Sequence, residues 1–369
     1  MARIGLGEGW SCLFANDFDP KKASCYRGYF GESQHLVVDD VAKIKTHQLD
    51  GVADLAWASF PCQDLSLAGN GVGLIGERSG AFWPFWNLML QLRNERRSPR
   101  TIILENVYGA ITSHGGRGLA NIIEELVSNG YCCGALVIDA SLFVPQSRPR
   151  LFIIAVEKQL AIPAQLKSSP DPVWHPKSLE DVYDILSVDA RDSWIWWDLP
   201  TPPRRSKNIS DLVELVPSGV SWHTSFETKR LIDMMSPINL EKLKEAKRSG
   251  KLVVGTIYKR IRKDKDGIKK QRAEVRFDHI AGCLRTPSGG SSRQTIILVE
   301  GNKVKTRLLS PRETARLMGL PEDYPLPDKY NEAYHLAGDG VVVPVVSHIS
   351  RNIIEPILNT NEMAQKEAA

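Results

Sequence analysis

Residues 55–63 read Leu55-Ala56-Trp57-Ala58-Ser59-Phe60-Pro61-Cys62-Gln63. Six largely apolar residues end at a proline, followed by a thiol and an amide. A short apolar run stopped by proline predicts a buried strand that runs into a turn. The pattern repeats on either side. Residues 12–16 lead into Asp17, Phe18 and Asp19, residues 36–38 into Asp39 and Asp40, and residues 101–104 into Glu105 and Asn106. Residues 136–138 and 151–156 add two apolar runs, with Pro145 and Pro149 predicting a hairpin between them. Helical stretches occupy 80–93 and 119–128. This alternation predicts an α/β fold with a mostly parallel, doubly wound sheet. Ligands of such sheets bind beyond the carboxyl ends of the strands. Asp17, Asp40, Cys62 and Glu105 are therefore expected along one rim.

Each residue also has a plainer reading. A lone cysteine is usually a small buried hydrophobe, but a polar Pro-Cys-Gln-Asp turn is a poor place for core packing, so Cys62 reads as reactive. Glu105 ends an apolar strand, where a carboxylate is costly without a partner or a task. Asp17 and Asp40 read equally well as turn residues. Gly71-x-Gly73-x-x-Gly76 matches the dinucleotide fingerprint but lies beyond the Pro-Cys-Gln turn, not between the first strand and its helix. It reads instead as a loop able to close over a substrate.

The 369 residues are 42% hydrophobic and 24% charged, which excludes disordered and collagen-like chains. The longest continuous apolar runs are too short to span a bilayer, and no signal-peptide pattern opens the chain. The six cysteines form no Cys-x-x-Cys pair and the histidines no His-Glu-x-x-His, so no metal site is expected. Unpaired cysteines without a signal peptide suit a reducing cytoplasm. From about residue 158 the periodicity fades into a segment rich in proline, serine and tryptophan. Residues 259–276 then hold nine basic and three acidic side chains, a local excess of +6 in a chain whose net charge is +4. Such a run can track phosphates, although any single lysine in it is as readily a solvated surface charge. Helical pattern resumes at 310–318 and again from 345 to about 358.

These residues resemble those of a known family, the cytosine-C5 DNA methyltransferases. Pro61-Cys62-Gln63 looks like the family's nucleophile motif, and Glu105-Asn106-Val107 like its second catalytic motif. Gln146-Ser147-Arg148-Pro149-Arg150 looks like its Gln-x-Arg-x-Arg motif. The run Arg312-Glu313-Thr314-Ala315-Arg316-Leu317-Met318-Gly319-Leu320-Pro321 looks like the motif after the recognition domain, and Gly338-Asp339-Gly340-Val341-Val342-Val343-Pro344 like the last motif. All five stand in the family's order.

The resemblance implies a Rossmann-like methyltransferase sheet built from residues 1–157 and completed by 305–369, with an irregular target-recognition domain inserted at 158–304. It implies S-adenosylmethionine as co-substrate, no metal, and a cytosine flipped out of duplex DNA. Cys62 would attack C6 of that base, making C5 nucleophilic. Glu105 would hold the N3 edge and share a proton with it, and Arg150, with Arg148, would steady base and carboxylate. Asp17 would take the ribose hydroxyls, Phe18 the adenine face, and Asp40 and Val41 the adenine edge and ring. Pro61 and Asp339 would border the cofactor. Gln63 would touch DNA, as would Arg285, Ser291, Ser292, Arg293 and Gln294, since arginine and glutamine read guanine and adenine edges. The resemblance also implies a cytoplasmic monomer, bacterial or phage-encoded, which can have a cognate restriction endonuclease.

The match departs at the amino end. The family opens with a strand and a glycine-rich Phe-x-Gly-x-Gly turn, whereas this chain opens on Met1-Ala2-Arg3-Ile4-Gly5-Leu6, which looks like the helix after that turn. Either the natural start lies upstream or the chain lacks the strand, and weakened cofactor binding and lower stability are then expected of residues 1–369 alone. Two other functions stay open beside the leading one: a tRNA cytosine-C5 methyltransferase of similar fold, and a non-catalytic DNA-binding remnant. The large basic insertion favours a DNA reader over the former.

Overall fold

The computed structural model describes residues 1–60, 82–263, 267–285 and 293–368. Ten strands form three sheets among them. A four-stranded sheet carries the order β3-β4-β6-β5, with β3 Leu55–Ser59, β4 Thr101–Val107, β5 Tyr131–Asp139 and β6 Pro149–Glu157. β3 and β4 are parallel, and β6 runs antiparallel to β5, as the expected hairpin requires, and also to β4, so this sheet is mixed rather than mostly parallel as expected. A second sheet is a short parallel pair, β1 Ala15–Asp17 with β2 Leu36–Val38. The result is an α/β, Rossmann-like arrangement with helices on both faces of the larger sheet.

The strands differ in extent from the expectation for stated reasons. β1 begins at Ala15 rather than at residue 12, because β2 offers only three pairing residues. Asp17 thus closes its strand instead of following it. β4 runs on to Val107, because β6 pairs with it as far as Arg150. Glu105 and Asn106 therefore sit inside a strand. β5 and β6 are longer than their apolar runs, since the hairpin pairs from Tyr131↔Glu157 to Asp139↔Pro149.

Two apolar cores sandwich the larger sheet. Ile103, Phe152 and Ile154 face one core with the helix Val343–Ile349, while Ile102, Leu104, Leu151 and Ile153 face the other with the helices Phe82–Asn94 and Arg117–Ser128. Residues from the segment after 158 join both cores: Trp174, Trp197 and Leu199 on one face, Leu179, Val182 and Trp194 on the other. Gly134 in β5 makes this possible. A Cβ there would lie 1.8 Å from the Ile195 carbonyl oxygen, so only glycine lets residues 193–195 pair against the strand edge.

The expected irregular insertion is only partly irregular. Residues 158–224 carry short helices alone. Beyond them, β7 Leu252–Lys263, β8 Lys269–Arg276, β9 Thr295–Glu300 and β10 Lys303–Leu308 form an antiparallel sheet in the order β10-β9-β7-β8. With the helix Pro237–Arg248 it encloses a small separate core of Met235, Leu243, Ile257, Val275, Ile297 and Val299. The outer ends of β7 and β8 are exposed, so they lack the alternation that marks a half-buried strand.

The carboxyl-terminal segment closes the first core. The helix Ala2–Leu6 packs on Val343–Ile349, with Gly5 against Val343 and Val346. Among the described residues one helical run, Tyr330–Ala364, is long and apolar enough to cross a membrane, with a mean hydropathy of 1.3 over an 18-residue window of which 61% is buried inside the protein. Sequence reading by continuous apolar runs missed it because polar residues interrupt it.

Candidate active site

Glu105 and Arg150 meet because of sheet register. Glu105 lies opposite Phe152, and Arg150 opposite Val107. The two are diagonal neighbours on one face of an antiparallel pair, within reach of long side chains. Arg150 Nε stands 3.2 Å from Glu105 Oε1. Glu105 is only 6% exposed. A carboxylate so placed needs a cation, and Arg150 supplies it.

Asn106 points to the other face and fixes the next strand end. Its Nδ2 donates to the carbonyl oxygen of Phe60 at 3.1 Å. That bond holds the residue just before Pro61, at the mouth of the expected nucleophile turn. Sequence reading placed Asn106 in a motif without giving it a task. Pro61, Cys62, Gln63 and the Gly71–Gly76 loop lie outside the described residues.

Arg148 differs from its expected role. It is buried, and its two terminal nitrogens are engaged by backbone carbonyls. Nη1 donates to Leu284 O at 2.8 Å, and Nη2 donates to Gly338 O at 2.7 Å and Gly340 O at 2.8 Å. Burial, and then the neighbouring charge of Arg150, pull its pKa down to about 10, so it stays cationic at neutral pH. Gln146 does similar work: Nε2 donates to Leu317 O at 2.8 Å, and Oε1 accepts from Leu284 N at 3.0 Å. The first two polar side chains of Gln-x-Arg-x-Arg thus join three separate segments, and only the last faces Glu105. Asp139, which sequence reading passed over, holds the turn by accepting from Ser141 N and Arg148 N.

On the β1–β2 side, Asp17 accepts from Asp19 N at 2.9 Å, and Phe18 is 76% exposed. Asp40 accepts from Ala42 N at 2.9 Å and starts the short turn Val41–Lys43. A carboxylate and an exposed ring at one strand end, with a second carboxylate after the next, make a donor set that fits a ribose and an adenine. Asp339 is engaged elsewhere, 2.8 Å from Lys22 Nζ. Among the described residues no cluster of three His, Cys, Asp or Glu side chains could hold a metal.

The recognition candidates divide. Arg285 is exposed, its Cζ 5.9 Å from the Tyr258 ring. Arg293 lies over the Tyr330 ring at 5.7 Å and bonds Asn331. Gln294 is buried, its backbone N–H donating to Tyr334 Oη, its side chain against Gly282. It packs the base of the segment and offers no base-reading edge. Ser291 and Ser292 lie outside the described residues.

A family model described as C-5 cytosine-specific DNA methylase matches residues 2–355. The type II methyltransferase M.Bsp6I of Bacillus sp. (strain RFL6) is 27% identical over 350 residues, 94% of this chain and 92% of that protein. Among solved structures, the S. pombe Dnmt2 methyltransferase superposes with a TM-score of 0.55 at 18% identity, covering 96% of this chain and 94% of that one. The Entamoeba histolytica methyltransferase EhMeth gives 0.56 at 14% identity, covering 96% and 94%. The match to the family model spans nearly the whole chain, and it takes in the Glu105–Arg150 strand pair, the Gln146–Arg148 clamp and the closing helices: the chain belongs to the C-5 cytosine-specific DNA methylase family.

Proposed function

We propose that the chain methylates C5 of a cytosine flipped out of duplex DNA, with Cys62 as nucleophile and Glu105 as the group that manages the proton at N3. The observation that carries this reading is the buried Glu105–Arg150 pair, next to the Asn106 bond that fixes the chain entering Pro61-Cys62. A base in the pocket presents N3 and its amino group to Glu105. Arg150 keeps the carboxylate oriented and offers its remaining donors to the base.

The Cys62 thiolate forms a bond to C6, and the ring electrons move toward C5 as N3 takes a proton that Glu105 has itself taken up from water on binding the base. A free thiol has a pKa of about 8.5, so its surroundings must favour the thiolate. S-adenosylmethionine, when bound, supplies the methyl group. Asp17 would hold its ribose, Phe18 and Val41 its adenine face, Asp40 the amino edge, and Pro61 would border it near the thiol. Loss of the C5 proton to a base, with departure of Cys62 from C6, restores the ring, and Glu105 recovers its proton from N3. Arg285 and Arg293, with Gln63, Ser291 and Ser292, form the DNA-facing set of this proposal. The protein would act as a cytoplasmic monomer of a bacterial or phage modification system, with a cognate restriction endonuclease as a possible companion enzyme.

The test uses mixed-sequence duplex DNA, structured RNA as a separate substrate, labelled S-adenosylmethionine and nucleoside mass spectrometry. 5-Methylcytosine in the duplex, confined to one short motif, is the expected product. Methylation of the RNA alone would assign the tRNA-type activity instead. Binding of duplex without any methylation at saturating co-substrate would leave a DNA-binding remnant.

A further inference from the structure

β7 outruns its neighbour β9. Their pairing covers Leu252 to Ile257, and beyond it β7 pairs with β8 as far as Lys263↔Lys269. The outer ribbon, residues 260–263 against 269–272, is exposed apart from the half-buried Arg272. Four residues a side reach about 13 Å past the sheet.

Three of the four outer rungs place like charges opposite each other: Arg260↔Arg272, Arg262↔Lys270 and Lys263↔Lys269. Directly opposed like charges destabilise an antiparallel pair. The ribbon therefore concentrates positive charge in a way that favours a polyanion. The strand period of two separates its faces. Arg260, Arg262, Lys270 and Arg272 share a face with Tyr258 and Glu274, while Lys263 and Lys269 share the other with Ile261 and Gln271. On the first face Glu274 is the one acid among the described residues, 2.6 Å from Arg262 Nε and 3.6 Å from Arg260 Nε. The Tyr258 ring connects this face to the recognition segment, with Arg260 Cζ at 5.2 Å and Arg285 Cζ at 5.9 Å.

We propose that the Arg260, Arg262, Lys270 and Arg272 face is an arm that grips the phosphates of duplex DNA outside the recognised sequence. It rests on the reading of the chain as a duplex-DNA enzyme. The arm adds affinity without sequence preference and adjoins Arg285 through the Tyr258 ring, so the flank is held beside that arginine. Lys263 and Lys269 face away from the duplex.

The test compares two double variants of the full chain, each losing two charges: Lys270→Gln with Arg272→Gln, and Lys263→Gln with Lys269→Gln. Binding to a fluorescent 30-base-pair duplex is measured by anisotropy from 50 to 300 mM salt. The first variant should lower the slope of log K against log salt by about 2, since each phosphate contact contributes about 0.9. Its affinity should fall by a similar factor on every duplex sequence. The second should keep the wild-type slope. Thermal unfolding of both variants at or above the wild-type midpoint excludes misfolding, because the first removes one charge from each of two opposed rungs and the second removes both charges of one rung. Equal slope changes in the two variants, or an unchanged slope in the first, would overturn the arm. If the wild type fails to bind duplex DNA at all, the underlying function fails; if it binds and methylates with an unaltered slope in the first variant, only the arm does.

Discussion

β4 and β1 belong to parallel pairs of the same domain, yet they are held in different ways. β4 is paired on both edges, by β3 and by β6, and is buried from Thr101 through Asn106. β1 is paired on one edge by a strand of three residues, and none of its residues is fully buried. β3 shows the same openness where the larger sheet ends: its edge away from β4 has no partner among the described residues, and none of its five residues is fully buried. The proposed chemistry thus sits on the continuous part, and the proposed cofactor contacts on the open part.

What joins the two is the segment 338–340. Arg148 holds the Gly338 and Gly340 carbonyls from the catalytic side, and Lys22, on the helix after β1, holds Asp339. Backbone clamping by one buried arginine replaces the ladder hydrogen bonds that elsewhere tie strand to strand. The β4–β6 half keeps a carboxylate and a guanidinium in register, while the β1–β2 half is fastened by a loop.

The sharpest prediction from this contrast concerns Glu105. Glu105→Gln should lower kcat by about 10²–10⁴-fold, the usual worth of a positioned acid or base, and should also lower the unfolding midpoint, because it leaves the largely buried Arg150 without its counter-charge. A loss of less than tenfold in single-turnover methylation would remove Glu105 from the chemistry.

Arg148 tests the joint. Arg148→Met leaves two buried carbonyls and one half-buried carbonyl without their donor and should cost about 3–5 kcal/mol in urea unfolding. A cost below about 1 kcal/mol would show that the halves are held by something else.

Hydrogen exchange reads the contrast directly. Amides of β1 and β3 should exchange about 100-fold faster than those of β4 and β6, as expected where local opening is cheap. Equal protection in the two groups would break the comparison.

Acid should attack the continuous half through His175. The ring is buried, its Nδ1 accepts from Asp171 N at 2.9 Å, and burial pulls its pKa from 6.5 down to about 4. The unfolded chain binds this proton first as pH falls. The stabilisation is whole above about pH 6.5 and is lost on the way down through about pH 4, on the order of 3 kcal/mol in all. His175→Gln should flatten the stability profile across that window relative to wild type; parallel profiles would contradict the assignment.

The smallest effect belongs to the open half. Asp17→Asn should weaken S-adenosylmethionine binding by roughly tenfold, the loss of about one charge-assisted hydrogen bond, with little change in stability. Calorimetric titration showing unaltered affinity would take Asp17 out of the cofactor site.

Much of this was legible before any coordinates. The apolar runs placed β2, β3, β4 and β6, because short apolar runs stopped by polar residues or proline mark strands, although β3 is only half-buried where a buried strand was expected. Glu105 and Arg150 were legible as chemistry, but their meeting was not, since it depends on the β4–β6 register. Arg148 looked like a second active-site arginine because sequence shows a charge and not what surrounds it. Gln294 misled in the same way: an amide beside an arginine reads as a base contact until burial beneath Tyr334 is seen. β7 and β8 escaped notice because strands exposed on both faces leave no period.

The most direct test of the account is a duplex carrying 5-fluorocytosine at the methylated position. Fluorine cannot leave as the C5 proton does, so release of Cys62 from C6 is blocked. Incubation with S-adenosylmethionine should yield a denaturation-resistant protein–DNA adduct whose tryptic mass maps to the peptide containing Cys62, and Cys62→Ser should yield none. Methylation of the unmodified duplex with no trapped adduct, or an adduct that survives Cys62→Ser, would contradict it.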